Sequence, residues 1–377
     1  MKIASLFFFL ILSCHLIGQD AQTIYFRDLY GMEKFDEIIK NKNKKGEALS
    51  AKSMYYIGMA YFMKGNDDMA LKYLDAALAK GSVDHDMFYY KGMTLFYKGR
   101  YIESLPFFDS AIVRLPKEPD FYTGKGEVYY TIEKFDSAIY YFKKGLSFPN
   151  CKTRFILLLA ESYQKTNRNK EAKESYKKGI SLLAPSDENY SISLYNYGLV
   201  QLLDGDSNTF ITFEKYCKLF PNDYSAMAKL IQSYYLAGKY EDAKPIRAQL
   251  YEAHKRKKLP STMEEMFCFD QFIWNGHRVM VFERFDEPKK DLIVKHQFFI
   301  LKDDGEMDYQ VRSESSIAVR MTPGHKYVLC LVRDGSYSTS WKYIFNDDYK
   351  YNELKAAVIT ILDNDLASQN NSSPNQK

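Results

Sequence analysis

Chemistry at a protein site needs polar groups that converge, and the scarce histidines are the first place to look for them. Six occur, at His15, His85, His254, His277, His296 and His325. No two have a metal-ligand spacing such as His-x-x-x-His, so no metal set is expected. His277 and His296 fall in strand-like runs. An enzyme reading would need one of them to meet a carboxylate such as Glu283 across a sheet. An isolated strand histidine is the plainer alternative. Gly124-Lys125-Gly126 lies inside a helical pattern, where packing rather than phosphate binding explains it. There is no Gly-x-Ser-x-Gly elbow. Cys151, Cys217, Cys268 and Cys330 form no Cys-x-x-Cys pair, which argues against a zinc or dithiol motif. Cys268 and Cys330, both in apolar runs, are the candidate disulfide pair, with buried free thiols as the alternative. No catalytic, cofactor-binding or metal-binding residue is expected.

The remaining chemistry is that of a surface. The chain holds 32 Tyr and 26 Phe but only 2 Trp. Gly58, Gly92, Gly126, Ala160 and Gly198 stand 34, 34, 34 and 38 residues apart. A fixed period in this range marks a stacked helix–turn–helix unit. Residues 53–81 show the pattern. A first helix carries Gly58 and Tyr61, a turn falls at Lys64-Gly65-Asn66, and a second helix carries Ala70, Leu74 and Ala77. These are helical spacings of three and four. Glycine costs about 1 kcal/mol inside a helix, so its recurrence needs a packing reason.

This pattern resembles the tetratricopeptide repeat family. The second unit offers Gly92, Gly99, Tyr101, Phe108, Ala111 and Pro116. The third has Gly126, Tyr129, Phe135, Ala138 and Phe142, and the fourth Ala160, Tyr163, Ala172, Tyr176 and Gly179. The fifth keeps Gly198, Phe213 and Pro221. The sixth has Ile231 where the small residue belongs, then Tyr234, Gly238, Tyr240 and Ala243. Residues 22–50 look like capping helices. The resemblance implies a right-handed α-solenoid over residues 51–258 whose first helices line a groove. Projected onto that face are Tyr55, Tyr56, Met59, Phe62, Tyr89, Tyr90, Met93, Phe96 and Tyr97, with Asp86, Asp120, Glu127, Arg154, Glu161 and Lys165 nearby. Tyr55, Met59, Phe62, Tyr89, Met93, Phe96, Tyr97, Glu127 and Arg154 are the expected partner-binding residues. Adjacent Tyr55-Tyr56 and Tyr89-Tyr90 cannot both turn inward. Members that clamp a chaperone's C-terminal carboxylate use Lys and Asn where this chain has Tyr55 and Met59, so that docking mode is not expected.

Strand signals dominate after Lys255–Pro260. Three hairpins are expected: 267–274 with 279–285 around Asn275-Gly276, 294–301 with 307–313, and 327–333 with 340–345. A closing helix is expected at 351–362. Residues 261–366 therefore read as a C-terminal α+β domain with an antiparallel sheet, followed by a disordered tail at 367–377. At the other end, Lys2 and the apolar run Ile3–Leu12 read as a signal peptide over residues 1–21. Lipidation at Cys14 is the alternative. No membrane span is expected. Residues 1–258 hold 38 Lys and Arg against 30 Asp and Glu, whereas residues 259–377 hold 14 against 18. That imbalance is too mild for nucleic acid. The sequence thus points to a non-enzymatic protein-protein interaction scaffold of the periplasm or cell envelope, without cofactors, that binds a protein or peptide partner. A binding protein for a glycan or peptide is the alternative, and an enzyme with its site in the β domain a further one.

Overall fold

The 34-residue period is realised as helix pairs in a computed structural model that describes residues 21–42, 49–81, 85–285, 293–301, 313–321, 327–333, 336–338, 344–345 and 351–371. The expected leader with Cys14, and the turns at Asp303–Gly305 and Asp334-Gly335, lie outside the described residues. Contacts divide the chain into two units, residues 1–182 and 183–377.

The first unit pairs α1 (21–31) with α2 (Phe35–Asn41), α3 (Ala51–Met63) with α4 (Asp67–Ala79), α5 (His85–Tyr97) with α6 (Tyr101–Arg114), α7 (Pro119–Thr131) with α8 (Phe135–Leu146), and α9 (Arg154–Lys165) with α10 (Asn169–Leu182). Ser50 and Asn66 cap α3 and α4, their side chains accepting from the amides of Ser53 and Met69 at 3.0 and 3.1 Å. The turn inside each repeat needs one left-handed residue. Gly65 and Gly99 supply it, and Glu133 and Asn167, at the same phase, adopt φ of 59° and 58°.

The recurring small residue has a definite job. A Cβ on Gly58 would meet Leu74 at 2.9 Å, one on Gly92 would meet Phe108 at 3.2 Å, and one on Gly126 would meet Phe142 at 2.7 Å. Each first helix thus leaves a hole for one large side chain of its second helix, sixteen residues on. Phe108 and Phe142 are fully buried there. At the N-terminus, Phe26, Leu29 and Ile38 of α1 and α2 pack with Ile57, Ala60, Tyr61 and Ala70, covering the exposed side of α3 and α4. Neighbouring first helices (α3 with α5, α5 with α7, α7 with α9) approach more closely than neighbouring second helices do, which puts the first helices on the inner side.

The second unit begins with α11 (Glu188–Leu203) and α12 (Thr209–Leu219), then α13 (Tyr224–Leu236) and α14 (Tyr240–Lys255). Among the described residues, a seven-stranded antiparallel sheet follows: β1 (Met266–Trp274), β2 (His277–Arg284), β3 (Ile293–Leu301), β4 (Ser313–Met321), β5 (Tyr327–Arg333), β6 (Ser336–Ser338) and β7 (Ile344–Phe345). Asn275-Gly276 makes the expected tight hairpin, with φ of 47° and 82°. β4 pairs antiparallel with β3, and residues 307–312 of the expected strand 307–313 lie outside the described residues. Of the expected last strand 340–345, residues 344–345 form β7 and 340–343 lie outside the described residues; β6 pairs with Leu331–Arg333 and β7 with Tyr327–Val328 of β5.

Helix α15 (Tyr351–Asn371) runs past the expected stop, since neither Gly nor Pro interrupts it before Pro374. Residues 367–371, expected in a disordered tail, are therefore helical. The sheet does not build a core with one closing helix alone. Ile231 and Tyr235 of α13 and Leu250 of α14 join Phe267, Phe269, Val281, Phe298, Leu354 and Val358 in a single buried cluster.

The disulfide expectation is corrected. Cys268 is a free thiol. It shares a row of the sheet with Cys330, but three strands intervene (Phe282, Gln297, Ala318). Four inter-strand steps of about 4.8 Å separate the two, far beyond disulfide reach.

The glycine–aromatic fit predicts a coupled pair. Gly126→Ala should destabilise by about 1–3 kcal/mol through overpacking, although alanine is the better helix former. Phe142→Leu in the same chain should recover part of that loss, giving a coupling of about 1 kcal/mol in a double-mutant denaturation cycle. Additive effects would refute the fit.

Candidate functional site

The inner face of the first unit is built from positions that recur at the repeat period. One row reads Lys52, Asp86, Asp120, Arg154, and another Met59, Met93, Glu127, Glu161. The face therefore changes character along the array, aromatic over α3 and α5 and charged over α7 and α9.

In the aromatic half, Tyr30 of α1 reaches across to α3 and α5. Its ring lies 6.1 Å from that of Tyr56, and its hydroxyl is 3.3 Å from that of Tyr90. Tyr90 in turn contacts Tyr89 at 5.3 Å and Phe62 at 5.4 Å, both edge-on. Phe62 also touches Tyr97 at 5.8 Å. Burial, and then the negative charge of Asp86, pushes the Tyr55 phenol well up. Tyr30 is raised by burial, its Tyr90 hydrogen bond and Asp86. Tyr89 is raised by burial, then by Asp120 and Glu127. These phenols stay protonated and donate or accept hydrogen bonds as neutral groups.

In the charged half, Arg154 donates to Glu127 at 2.7 Å, Lys152 to Asp120 at 3.0 Å, and the Tyr130 hydroxyl to Glu161 at 2.8 Å. Burial raises the Glu127 pKa despite the opposing pull of Arg154. Cys151 is pushed up to about 11, mainly by burial and then by Asp120, so it is a poor nucleophile at neutral pH.

The nine expected groove residues divide. Tyr55 and Met59 (each 4% exposed) pack with Leu74, Ala77 and Met87, and Met93 (5%) packs with Phe108 and Val128. These three are core and offer a partner almost no area. Phe62, Tyr89 and Phe96 are half-buried, and Tyr97 is 59% exposed. Glu127 and Arg154 are brought together as an ion pair. Tyr30, Tyr130 and Lys152 were not expected at the face. Tyr30 is out of phase with the repeats, so no period points to it.

The second unit holds the residues named by the enzyme alternative. Glu283 and His296 stand opposite one another on β2 and β3, while His277 pairs with Trp274 at the β1–β2 turn. Glu283 (2% exposed) and His296 (6%) are buried. Both oxygens of Glu283 are engaged, one by Arg247 and the other by the Tyr251 hydroxyl at 2.5 Å. Asp270 accepts on one oxygen, Oδ2, from both the Tyr351 hydroxyl and the Lys355 ammonium, the latter at 2.9 Å. The two carboxylates fasten α14 and α15 to the sheet. Among the described residues, no group of three or more His, Cys, Asp or Glu is placed to hold a metal.

Comparison with known proteins agrees with the helix-pair pattern. Residues 153–182, which hold α9 and α10, match the tetratricopeptide repeat model. No curated protein matches the chain. Among solved structures, the chain is similar to the C-terminal part of a TPR repeat-containing protein from Cytophaga hutchinsonii, at 19% identity over 62% of this chain and 93% of that one, with a TM-score of 0.49. It is similar to pilF of Pseudomonas aeruginosa at 17% identity over 55% and 94%, TM-score 0.45. It is also similar to YrrB, a TPR protein with an unusual peptide-binding site, at 18% identity over 49% and 98%, TM-score 0.43.

The placements make two predictions. Tyr55→Ser should destabilise by about 2–4 kcal/mol, as loss of a buried ring does, while Tyr97→Ser should stay within about 0.5 kcal/mol of the parent. Denaturant titration separates them, and equal losses would remove the core–rim division. The second concerns Glu127. Its folded pKa is raised, so its contribution favours the fold when protonated and is lost as pH rises through that pKa. Stability of Glu127→Gln relative to the parent should therefore improve between pH 4 and pH 7. A relative loss over that window would show that the Arg154 pair outweighs burial.

Proposed function

We propose that this chain, built of tetratricopeptide-type helix pairs, is an exported scaffold of the bacterial cell envelope. It does no catalysis of its own and holds a segment of a partner protein against α1, α3 and α5. One observation carries this reading. Tyr30, Tyr56, Tyr89, Tyr90, Phe62 and Tyr97 form a contiguous aromatic surface beside the core rather than in it. Aromatic side chains of this kind anchor interfaces because they bury large area with few rotatable bonds. Covering such a patch contributes about 25 cal/mol per Å² before the costs of ordering are subtracted. Export rests on Lys2 and the apolar run Ile3–Leu12.

The test is crosslinking in the native cell followed by mass spectrometry. The parent should yield a defined crosslinked protein, and Tyr56→Ser/Tyr97→Ser should lose it while remaining folded. The same spectra read the mature N-terminus, which should fall between Gly18 and Ala21. Survival of every crosslink in the double variant would sink the binding face, and a chain still beginning at Met1 would sink export.

A further inference from the structure

The partner's chemistry can be narrowed, granted the binding face just proposed. Asp86 opens the inner face of α5, one turn before Tyr89 and Tyr90. Its field reaches Tyr30, Tyr55 and Tyr90, each of which it makes harder to ionise. The other inner-face acids are differently placed. Asp120 is held by Lys152, Glu127 by Arg154, and Glu161 receives the Tyr130 hydroxyl. Among the described residues, the ion-pair partner of Asp86 is His85, its neighbour on the same helix, which is charged only if protonated. Lys52 holds the equivalent position on α3, with its ammonium 5.4 Å from the Tyr55 ring. Among the described residues, the face around Asp86 thus combines electron-rich rings with a carboxylate whose ion-pair partner is a histidine rather than a Lys or Arg. This local character runs against the positive balance of residues 1–258.

We infer that the segment held here presents a lysine or arginine side chain to Tyr30, Tyr56, Tyr90 and Asp86. A cation is attracted to the faces of tyrosine rings, and a carboxylate at their edge adds a charge-assisted hydrogen bond. An acidic segment would meet Asp86 and the phenol faces with repulsion. A neutral apolar segment would gain area but leave the carboxylate unmatched.

The experiment uses the full chain and three fluorescein-labelled peptides, (Gly-Leu-Lys)4, (Gly-Leu-Ser)4 and (Gly-Leu-Glu)4, read by fluorescence anisotropy. The lysine peptide should bind about tenfold more tightly than the serine peptide, with the glutamate peptide weakest. Asp86→Asn should cut the lysine preference to about twofold. Asp68→Asn, an exposed acid on α4 already paired with Lys98, should leave it intact. Tyr56→Leu provides a second variant, expected to weaken the lysine peptide and spare the serine one. Equal binding of the lysine and serine peptides would overturn the cation inference while the binding face stands. A preference that survives Asp86→Asn, or falls equally with Asp68→Asn, would overturn it too. If none of the three binds, the inference falls together with the face.

Discussion

A missing side chain organises the first unit. Gly58, Gly92 and Gly126 each receive one large residue from the following helix, and none has room for a Cβ without displacing it. Close approach of this kind fixes the rotation of the first helix about its own axis, because only one face can present the hole. Once that rotation is set, every other position on the helix has its environment assigned. At 3.6 residues per turn, Tyr56 sits about 160° from Gly58 and Met63 about 140° away, while Tyr55 and Phe62 lie within about 60°. Of these, Tyr55 is in the core, Phe62 and Tyr56 are half-buried and Met63 is exposed.

The same rotation explains why a residue's role is inherited down the array while its chemistry drifts. The row of Met59, Met93, Glu127 and Glu161 keeps one angular position and moves from sulfur to carboxylate. Where the methionines stand, the row seals the junction between repeats. Where the glutamates stand, it carries ion pairs and hydrogen bonds to Arg154 and Tyr130. Burial opposes the charge of Glu127 and Arg154 offsets part of that cost, so the charged half is held by its own pairing. Among the described residues of the aromatic half, Asp86 is paired with His85 rather than with a Lys or Arg, and this asymmetry gives the face its polarity.

Period and residue type made the helix pairs legible in the sequence, since a glycine recurring in phase inside a helix demands a packing partner. The accessible part of the inner side was only half legible. Projecting aromatics onto that side collected Tyr97, which is exposed, and Phe62, which is half-buried, together with Tyr55, Met59 and Met93, which lie in the core. The angle from the glycine would have separated Tyr55 from Tyr56. Nothing periodic could have found Tyr30, because the first helix pair is out of phase. In the sheet, Asn275-Gly276 announced its hairpin by turn chemistry alone. The pairing of Cys268 with Cys330 failed, as similar strand-like surroundings say nothing about how many strands lie between.

The degeneracy of the last repeat also has a physical cause. In α13 the hole is filled, because Ile231 replaces the small residue, and the large residue sixteen positions on is Arg247. An isoleucine leaves no recess for an aromatic ring, and Arg247 does not try to fill one. Its guanidinium instead hydrogen-bonds Tyr235 of α13 at 2.9 Å and Glu283 of β2. Ile231 is itself fully buried, in the cluster that Phe267, Phe269 and Val281 of the sheet complete. Gln232 beside it donates at 2.9 Å to the Cys268 carbonyl, so α13 also protects the edge of β1 from pairing with another chain. A repeat that must meet a sheet rather than another helix pair is released from the glycine rule and bound by a different one: its second helix has to bring a partner for a buried carboxylate. Loss of the period at Ile231 therefore marks the place where the array changes what it packs against.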